Sequence, residues 1–416
     1  MRRNFLFLQG PTNLLFARTA QRLRGVGHEA WRVNVCVGDQ IFWKGKNALA
    51  FRGPASEWPA WLDALCGRVG ITDIVLLGEK RRLHRLAIDA ARNRGIDVTV
   101  TDFGYLRPDW IVVERDGMNG GSRFPRDAGA VMQLAKGLPR ASPSIQFPHR
   151  AAKQALLDMT FNLSSSLAPW TFPHFERHTL NHPLLNYAGT GWRMARSPWE
   201  AARARSTLER LSGRRYFVFA MQMEDDFSVR AYSTFPDMES AMRRALRSFV
   251  EWAPGDAHIV FKLHPLDPGL RQWRSIVQRL GRELGVASRV HFIDGGDLDL
   301  ILRASAGLVT VNSTAGIRAI ELGVAALPLG EAIYSIAGVA PVGDEKVFWS
   351  GEWRPAPELC EAFLRALGAT VHVRGSMYDR AGIEAAADGM AYRLHHGLVN
   401  VPVPEVLTGV PLSLWR

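Results

Sequence analysis

The stretch HIVFKLHP, residues 258–265, decides the fold of the second half of the chain. It opens as a mostly apolar run that is typical of a buried strand, and Pro265 ends that strand. Amphipathic stretches at residues 238–252 and 273–284 flank the run, as helices do in a parallel βα series. The same alternation predicts further strands at residues 216–221, 290–293, 308–311 and 325–329, and short helices at residues 298–304 and 315–322.

A second series of this kind fills the first hundred residues. It predicts strands at residues 4–8, 28–37, 73–77 and 96–101, and helices at residues 14–23 and 81–92. The sequence therefore predicts an α/β protein of two doubly wound, Rossmann-like domains that face each other across a cleft. The expected divisions are an N-terminal acceptor-side domain with a helical extension and linker at residues 1–200, a nucleotide-sugar domain at residues 201–345, and a mostly helical segment packing back across the domains at residues 346–416.

Length and composition set the broad class of protein. The chain has 416 residues, of which 47% are hydrophobic and 22% charged, which is ordinary for a globular protein and excludes a disordered or fibrous one. No stretch reaches the roughly 18 apolar residues that a transmembrane helix needs. The apolar run near the N-terminus is interrupted at residues 9–11, so it predicts a strand rather than a signal peptide, and a cytoplasmic protein.

The charge balance narrows the possible partners. Lys and Arg number 51 against 40 Asp and Glu, which gives a net charge of +11. A basic surface attracts polyanions, which here means nucleic acid, anionic lipid headgroups or nucleotide-linked substrates. Charge alone does not choose among these three.

Two polar junctions follow strands of the second series. Lys262 and His264, with Pro265 fixing the backbone, stand at the carboxyl end of a strand, where open α/β sheets bind ligands. Both side chains could meet a phosphate, although a turn-capping His and a solvated Lys fit the same pattern. At residues 310–316, TVNSTAG begins a helix and either binds a phosphate or provides an ordinary cap. Glu321 could accept hydrogen bonds from a ribose or lie on the surface. Neither a P-loop nor a GxGxxG motif is present, which disfavours ATP and dinucleotides.

Acidic side chains also follow predicted strands. Asp102 ends a strand of the first series and faces the cleft from the side opposite His264, unless it is simply solvated in a loop. Gln222 and the acidic residues 224–226 follow the first strand of the second series. Carboxylates can bind metal ions, but none of these has a clean ligand spacing, so no metal site is predicted. The three cysteines fit neither a disulfide framework nor a zinc site and are expected to be reduced and mostly buried: Cys36, Cys66 and Cys360.

Eight motifs, taken together and in order, carry a resemblance to a known family. They are FLQGP (7–11), VGDQIFW (37–43), GYLRPDW (104–110), MQMEDDF with RAYS (221–227 and 230–233), KLHPLDPG (262–269), GDLDLIL (296–302), VNSTAG (311–316) and LGEAIY (329–334). Over about residues 4–340, the chain resembles the capsular polysaccharide export family of the KpsS/LipB type.

The resemblance implies a reaction and its partners. It implies a retaining glycosyltransferase of GT-B-like fold that transfers β-Kdo from CMP-Kdo to a phosphatidylglycerol-type lipid, starting the poly-Kdo linker of group 2 capsules. CMP-Kdo is then the donor substrate, and no cofactor is expected. The implied place is the cytoplasmic face of the inner membrane, with a second, KpsC-type capsule transferase as a partner and no nucleic acid.

The resemblance also implies roles for individual residues. Retention through a covalent step needs a carboxylate nucleophile, for which Asp102 is the first candidate and Asp226 the second. His264 would stabilise the leaving phosphate. The implied substrate-binding residues are Lys262, Asn312, Ser313 and Thr314 at the CMP phosphate, Glu321 near its ribose, and Gln9, Gly10, Asp39, Arg107, Gln222, Pro265 and Gly316 in the remaining motifs.

Two other classes of function remain open from the residues. A related enzyme on the same fold would be a glycerol-phosphate transferase or a sugar-nucleotide epimerase. A non-enzymatic alternative is a basic, membrane-associated scaffold of the export apparatus. Aromatic residues of the first domain either anchor the protein at a membrane or belong to its core: Phe42, Trp43, Trp58 and Trp61.

Overall fold

The computed structural model describes residues 2–43, 45–142, 146–177, 179–224 and 227–414. The chain divides into two compact units. The first unit comprises Met1–Phe124, Leu134–Arg177 and Leu364–Arg416, and the second comprises Pro125–Gln133 and His178–Phe363.

The first unit is built on a sheet of seven strands within the described ranges. They are β1 (Asn4–Phe7), β2 (Glu29–Asn34), β3 (Ala48–Ala50), β4 (Asp73–Leu77), β5 (Asp97–Phe103), β6 (Trp110–Arg115) and, far along the chain, β12 (His372–Arg374). Their order is β12-β6-β5-β4-β1-β2-β3. Strands β1 to β5 are parallel, whereas β6 pairs antiparallel with both β5 and β12.

The second unit holds a parallel sheet of five strands among the residues that the structure describes. They are β7 (Tyr216–Ala220), β8 (His258–Lys262), β9 (Val290–Ile293), β10 (Gly307–Thr310) and β11 (Ala326–Pro328), in the order β11-β10-β7-β8-β9. Every residue of β7 and β8 is buried, because helices cover both faces of the sheet, and this explains their continuous apolar runs.

Helices connect and cover the strands. In chain order they are α1 (Leu15–Gly25), α2 (Val37–Ile41), α3 (Trp58–Val69), α4 (Arg82–Asn93), α5 (Ala128–Ala135), α6 (Ala151–Leu167), α7 (Pro183–Arg210), α8 (Phe227–Ala231), α9 (Met238–Trp252), α10 (Trp273–Glu283), α11 (Leu298–Arg303), α12 (Ala315–Glu321), α13 (Glu345–Trp349), α14 (Pro357–Val371), α15 (Arg380–His396) and α16 (Glu405–Thr408). Helix α9 shows why these segments are helical: the carboxylate of Asp237 accepts the Ser240 backbone N–H at 2.7 Å, and the apolar face of the helix is buried.

Strand order reverses at one place in each sheet. In the first unit the reversal lies between β1 and β4, and in the second it lies between β7 and β10. Such a switch point leaves a crevice outside the carboxyl ends of the strands, where ligands bind in open α/β sheets. The topology therefore predicts a ligand site at the carboxyl edge of each sheet, next to its switch point.

The prediction of two doubly wound α/β units is confirmed, but the compact units do not follow the predicted boundaries. The chain from residue 178 onward already belongs to the second unit, so α7 does as well. The C-terminal segment is divided, because residues up to Phe363 belong to the second unit and Leu364–Arg416 belong to the first. Strand β12 pairs with β6 and α15 packs against α1, and these contacts make the end of the chain part of the first unit.

The predicted anchoring aromatics lie inside the first unit. Phe42, Trp43 and Trp58 are buried, and Trp58 and Trp61 stack on each other with ring centroids 5.5 Å apart. The core interpretation of the three buried side chains is therefore correct. The structure also confirms the expected buried, unbridged thiols of Cys36, Cys66 and Cys360.

In the part of the chain that the structure describes, no helix combines the length and the hydropathy that crossing a bilayer requires.

Candidate functional site

The switch point of the second unit is lined by a network of amide and hydroxyl groups. Gln222 follows β7 and Asn312 follows β10, and the Gln222 amide Nε2 donates to Asn312 Oδ1 at 3.0 Å. Gln222 Oε1 in turn accepts the Asn312 backbone N–H at 3.0 Å and the Thr310 hydroxyl at 3.2 Å. All three side chains are buried. Two of the predicted binding residues, Gln222 and Asn312, are thus brought together by the fold.

Lys262 ends β8, the strand beside β7, and its side chain is buried. Among the described residues, its ammonium forms no hydrogen bond and no ion pair within 4.0 Å. Burial lowers the pKa of Lys262, and nearby Arg193 lowers it further, while the carboxylates of Asp294 and Asp297 oppose the shift. A buried ammonium without a direct partner is suited to an anionic ligand.

The loop after β8 is held by an arginine from α7. The Arg193 guanidinium pairs with Asp294 at 2.5 Å and donates to the backbone carbonyls of Pro265 at 2.7 Å and Asp267 at 2.8 Å. Asp267 then accepts the indole N–H of Trp273 at 3.1 Å. Sequence reasoning missed Arg193 and Asp294, because neither lies in the motif that they support.

His264 is the predicted hydrogen-bond donor of this loop. Its Nδ1 accepts the backbone N–H of Leu266 at 3.1 Å. The proton of the neutral ring therefore lies on Nε2, so that Nε2 is a donor.

The loop between β10 and α12 is compact around Gly316. Ser313 Oγ accepts the Ala315 backbone N–H at 3.2 Å, and the Tyr334 hydroxyl donates to the Ser313 carbonyl at 3.2 Å. Thr314 precedes α12 without making a side-chain cap. A Cβ at Gly316 would overlap the Tyr334 ring, so the loop needs glycine there. This is a packing role for Gly316.

Two carboxylates that the sequence offered as candidates, Glu321 and Glu224, form ion pairs with arginines. Glu321 ends α12, about 9 Å along the helix from its first residue, and its carboxylate accepts from Arg318 at 2.7 Å. The structure therefore gives no contact between Glu321 and the Gln222–Asn312 network. Glu224 forms an ion pair with Arg271. The second nucleophile candidate, Asp226, and its neighbour Asp225 lie outside the described residues.

A second polar network lies at the switch point of the first unit. Gln9, after β1, accepts from the Arg81 guanidinium at 2.8 Å and donates to Asp39 at 3.4 Å. Asp39 is buried and pairs with Arg32 at 3.0 Å. A Cβ at Gly10 would lie 2.5 Å from the Phe16 ring, so Gly10 allows the chain to pass close to α1. Gln9 and Asp39 were predicted, whereas Arg81 and Arg32 were not.

Asp102 and Arg107 lie near each other in the chain at the end of β5. One Asp102 oxygen accepts the Phe103 backbone N–H at 2.7 Å, and the side chain is only partly buried. The Arg107 guanidinium is exposed and lies over the Phe103 ring, 5.0 Å from its centroid. Asp102 thus stands at the carboxyl end of β5, and its role as a nucleophile stays a prediction.

Glu79 is a carboxyl group at the same edge that sequence reasoning missed. It follows β4, is buried, and accepts the Met118 backbone N–H at 3.5 Å. Burial raises its pKa to about 7, and the charge of nearby Asp102 adds to the shift. Its sequence signal was available, because Glu79 follows the predicted strand at residues 73–77 directly.

Groups of His, Cys, Asp and Glu that could together hold a metal ion do not occur among the described residues.

The chain is similar to known proteins in sequence and, more distantly, in structure. The chain is 29% identical over 389 residues to the capsule polysaccharide export protein KpsS of Escherichia coli, covering 90% of this chain and 97% of that protein. It is 26% identical over 388 residues to the capsule polysaccharide modification protein LipB of Neisseria meningitidis serogroup B, covering 91% and 92%. A solved structure of Thermosulfurimonas dismutans KpsC, beta Kdo 2,7 transferase, is 13% identical at a TM-score of 0.47, covering 94% of this chain and 99% of that one, a likeness too distant to decide fold or activity.

The family model described as capsule polysaccharide biosynthesis protein matches residues 72–378. This range contains β4 to β12, the second-unit network around Gln222 and Asn312, and the loop that holds Lys262. Because the match covers well over half of the chain, the protein belongs to the capsule polysaccharide biosynthesis family.

Proposed function

We propose that this protein is a retaining glycosyltransferase that transfers β-Kdo from CMP-Kdo to a phosphatidylglycerol-type lipid and so starts the poly-Kdo linker of a group 2 capsule. It would work at the cytoplasmic face of the inner membrane, beside a second, KpsC-type transferase that extends the product. Family membership and the names of the relatives, an export protein and a modification protein, support the capsule assignment.

The observation that carries the donor assignment is the Lys262 ammonium beside the second switch point, which stands at the end of a buried side chain. It has no direct partner among the described residues, and Arg193 and Asp294 fix the loop next to it. An anionic ligand there would gain a charge-assisted hydrogen bond in a partly desolvated place. We assign the CMP phosphate to Lys262 and His264, and the loop of Asn312, Ser313 and Thr314 to the rest of the nucleotide.

The chemistry of the leaving group follows from these two side chains. When the bond between C2 of Kdo and the phosphate oxygen breaks, CMP leaves with an additional negative charge. Lys262 opposes that charge as a fixed cation, and the N–H at His264 Nε2 donates to a phosphate oxygen. Both interactions strengthen as the charge develops, which is what accelerates a reaction.

Retention is explained by two successive displacements. A carboxylate, Asp102 or Asp226, attacks C2 of Kdo as CMP leaves and forms a glycosyl–enzyme ester. A hydroxyl of the lipid then attacks C2 from the other face, gives its proton to a base, and releases the carboxylate. Two inversions restore the original configuration. Glu79, with a pKa of about 7, has the proton affinity that such a base requires.

The first unit supplies a place for the acceptor in this proposal. Buried Gln9 and Asp39 form a polar network with partly buried Arg81 at its switch point, and exposed Arg107 adds a cation at the same edge. A glycerol hydroxyl suits the amide and carboxylate groups, and a lipid phosphate suits the arginines.

Kdo transfer is tested with the purified protein, CMP-Kdo generated in situ and a fluorescent phosphatidylglycerol-type acceptor, with the product followed by mass spectrometry. The expected product is heavier by one Kdo. Asp102→Asn and Asp226→Asn, tested separately, identify the nucleophile, because removing it abolishes transfer while CMP binding remains. Glu358→Gln, an exposed carboxyl on α14, is the matched control and keeps full transfer.

Parallel reactions with CDP-glycerol and UDP-sugars distinguish the alternative enzymes. A product from either of these, and none from CMP-Kdo, would replace the proposed donor. Binding of polyanions that weakens steeply with salt, without turnover of any donor, would indicate the scaffold instead.

A further inference from the structure

Helix α6 of the first unit has an exposed face that is apolar. Leu156, Met159, Leu163 and Leu167 recur at helical spacing along that face, and Trp170 follows directly after the helix. All five side chains are exposed, with Leu167 and Trp170 each at 74%. We call these five residues the α6 stripe.

The opposite face of α6 is the one that packs on the unit. Phe161 lies so close to Gly38 of α2 that a Cβ there would overlap the ring, and Ser165 Oγ accepts the Gly38 backbone N–H at 3.0 Å. Leu157 packs against the core of the unit. Hence the stripe is not the buried side of an ordinary amphipathic helix, because the helix is already packed through its other face.

Helix α7 of the second unit has an apolar stripe of its own. Leu185, Trp192 and Trp199 are spaced by seven residues, with Ala188 and Ala195 between them, which places all five on one helix face. Leu185, Trp192 and Trp199 are exposed at 57%, 66% and 68%. We call these five residues the α7 stripe.

A different face of α7 holds the helix to its unit. Gly189 lies against Pro268, Arg193 pairs with Asp294, and Glu200 is buried in an ion pair with Arg274. These positions are turned about 100° around the helix axis from the stripe. Because α7 packs on its unit through this other face, the core of the unit does not explain the tryptophans of the stripe. Exposed apolar side chains of this size indicate an interaction surface.

The charged residues near the two stripes indicate which kind of partner the stripes bind. Residues 150–205, which include both stripes, hold seven Lys and Arg against three acidic residues, Asp158, Glu176 and Glu200. Arg196 and Arg203 lie beside the α7 stripe with side chains about half exposed, and both pair with the carboxylate of Glu200, at 3.5 Å and 3.2 Å. Exposed leucine and indole side chains in a segment of net positive charge are typical of helices that lie in the interface of an anionic bilayer.

We propose that each of the two stripes, within its own unit, is a docking surface for an anionic phospholipid bilayer. Leucine and indole side chains would enter the boundary between headgroups and acyl chains, and Arg196 and Arg203 would meet the lipid phosphates. This inference rests on the proposed function for its purpose, since a membrane-bound acceptor must be reached, but it concerns different residues and a different measurement.

Vesicle flotation tests the docking surface without any donor present. The probes are vesicles of phosphatidylcholine alone and of phosphatidylcholine mixed with phosphatidylglycerol. The full-length protein is expected to float with the mixed vesicles and to be released by salt. Trp192→Ser with Trp199→Ser, and separately Leu163→Ser with Leu167→Ser, should each weaken binding at least about tenfold, because apolar area can no longer leave water.

A matched control uses an exposed tryptophan outside both stripes. Trp252→Ser at the end of α9 should leave vesicle binding unchanged. Circular dichroism checks that each variant is folded. Calorimetric titration with CMP on the same preparations reports donor binding, so that failure of the proposed function and failure of the docking surface are seen separately.

Three results would overturn the docking proposal. The first is that folded double variants bind mixed vesicles as the wild type does. The second is equal binding to vesicles with and without phosphatidylglycerol, which would remove the role of charge. In the third, sedimentation shows a dimer that the Trp192/Trp199 variant converts to a monomer, with vesicle binding unchanged. A second copy of the chain would then cover the stripe.

Discussion

At the scale of single residues, two buried charged groups stand out at the carboxyl edges of the sheets. Lys262 and Glu79 each follow or end a parallel strand, and burial moves their pKa values in opposite directions, down for the ammonium and up for the carboxyl. In both cases burial disfavours the charged form. Keeping such groups in place costs stability, which is common where a protein binds or reacts.

Glu79 makes that cost measurable as a function of pH. Its pKa is raised from 4.5 to about 7, so below about pH 4.5 both the folded and the unfolded chain hold the proton. Between about pH 4.5 and pH 7, the unfolded chain loses the Glu79 proton before the folded chain does. The free energy of unfolding therefore falls as the pH rises to about 7. We expect Glu79→Gln to remove that fall and to be more stable than the wild type above pH 7, by up to about 3 kcal/mol.

Denaturant unfolding of both proteins between pH 4 and pH 8 checks this expectation. Glu358→Gln on α14, an exposed position, is the control and should follow the wild-type curve. If the Glu79→Gln curve were parallel to the wild-type curve across the whole range, the buried carboxyl would not titrate as stated.

At the scale of elements, the junction of β10 and α12 depends on one close contact. Gly316 allows the Tyr334 ring to lie against the start of α12, where its hydroxyl holds the Ser313 carbonyl. Gly316→Ala must push that ring away, and overpacking of this kind costs about 1–3 kcal/mol. We expect lower stability and also weaker CMP binding, because Ser313 and Thr314 move with the ring.

Gly255→Ala provides the matched control for this substitution. A Cβ at Gly255 meets nothing within 4 Å, and the residue lies in the same unit. Thermal unfolding and CMP titration of both variants separate a local clash from a general effect of alanine. Unchanged stability in Gly316→Ala would contradict the packing role of this glycine.

Sequence reasoning worked where an element carries its own signal. The run at residues 73–77 became β4 with the predicted bounds, because a buried parallel strand is mostly apolar. The run at residues 290–293 became β9 with the predicted bounds, although most of this strand is only partly buried. Strands β3 and β12 have three residues each, too short for any periodicity, and exist through their pairing with neighbours. Strand β6 was not predicted, although its run is apolar. It follows β5 directly as an antiparallel strand, whereas the sequence analysis expected a helix after each strand.

The residues of the candidate site also fall into those that the sequence predicted and those that it missed. Lys262, Asn312 and Gln222 were predicted because each directly follows or ends a strand. Arg193 was missed because it acts on a loop far from it in the chain. Glu321 closes α12, where the sequence left a ribose contact and a surface position equally open, and its carboxylate pairs with Arg318 of the same helix. Spacing locates strand ends, whereas side-chain partners from other elements require the folded structure.

At the scale of the whole molecule, the end of the chain completes the first unit. Arg393 of α15 is buried without a carboxylate partner among the described residues. Its guanidinium donates at 2.5–3.1 Å to the backbone carbonyls of Ala369, His372, Leu398 and Val401. One side chain thus ties α14, β12 and the chain after α15 together.

Replacing this arginine should weaken the first unit as a whole. Arg393→Met leaves several buried carbonyls without donors, at a cost of about 3 kcal/mol or more, which corresponds to a drop of about 10 °C in the midpoint of thermal unfolding. Arg380→Met, at the exposed first residue of the same helix, is the control. Equal midpoints for the two variants would show that the C-terminal segment contributes little to the unit.

In the proposed function, the second unit binds the CMP part of the donor through Lys262. Calorimetric titration of CMP into the wild type, Lys262→Ala and Lys346→Ala tests it most directly, because Lys346 is a lysine of the same unit on α13, outside the switch point. We expect the wild type and Lys346→Ala to bind CMP equally and Lys262→Ala to bind it about 10–100-fold more weakly, through loss of a charged hydrogen bond. No binding by the wild type, or wild-type affinity in Lys262→Ala, would contradict it.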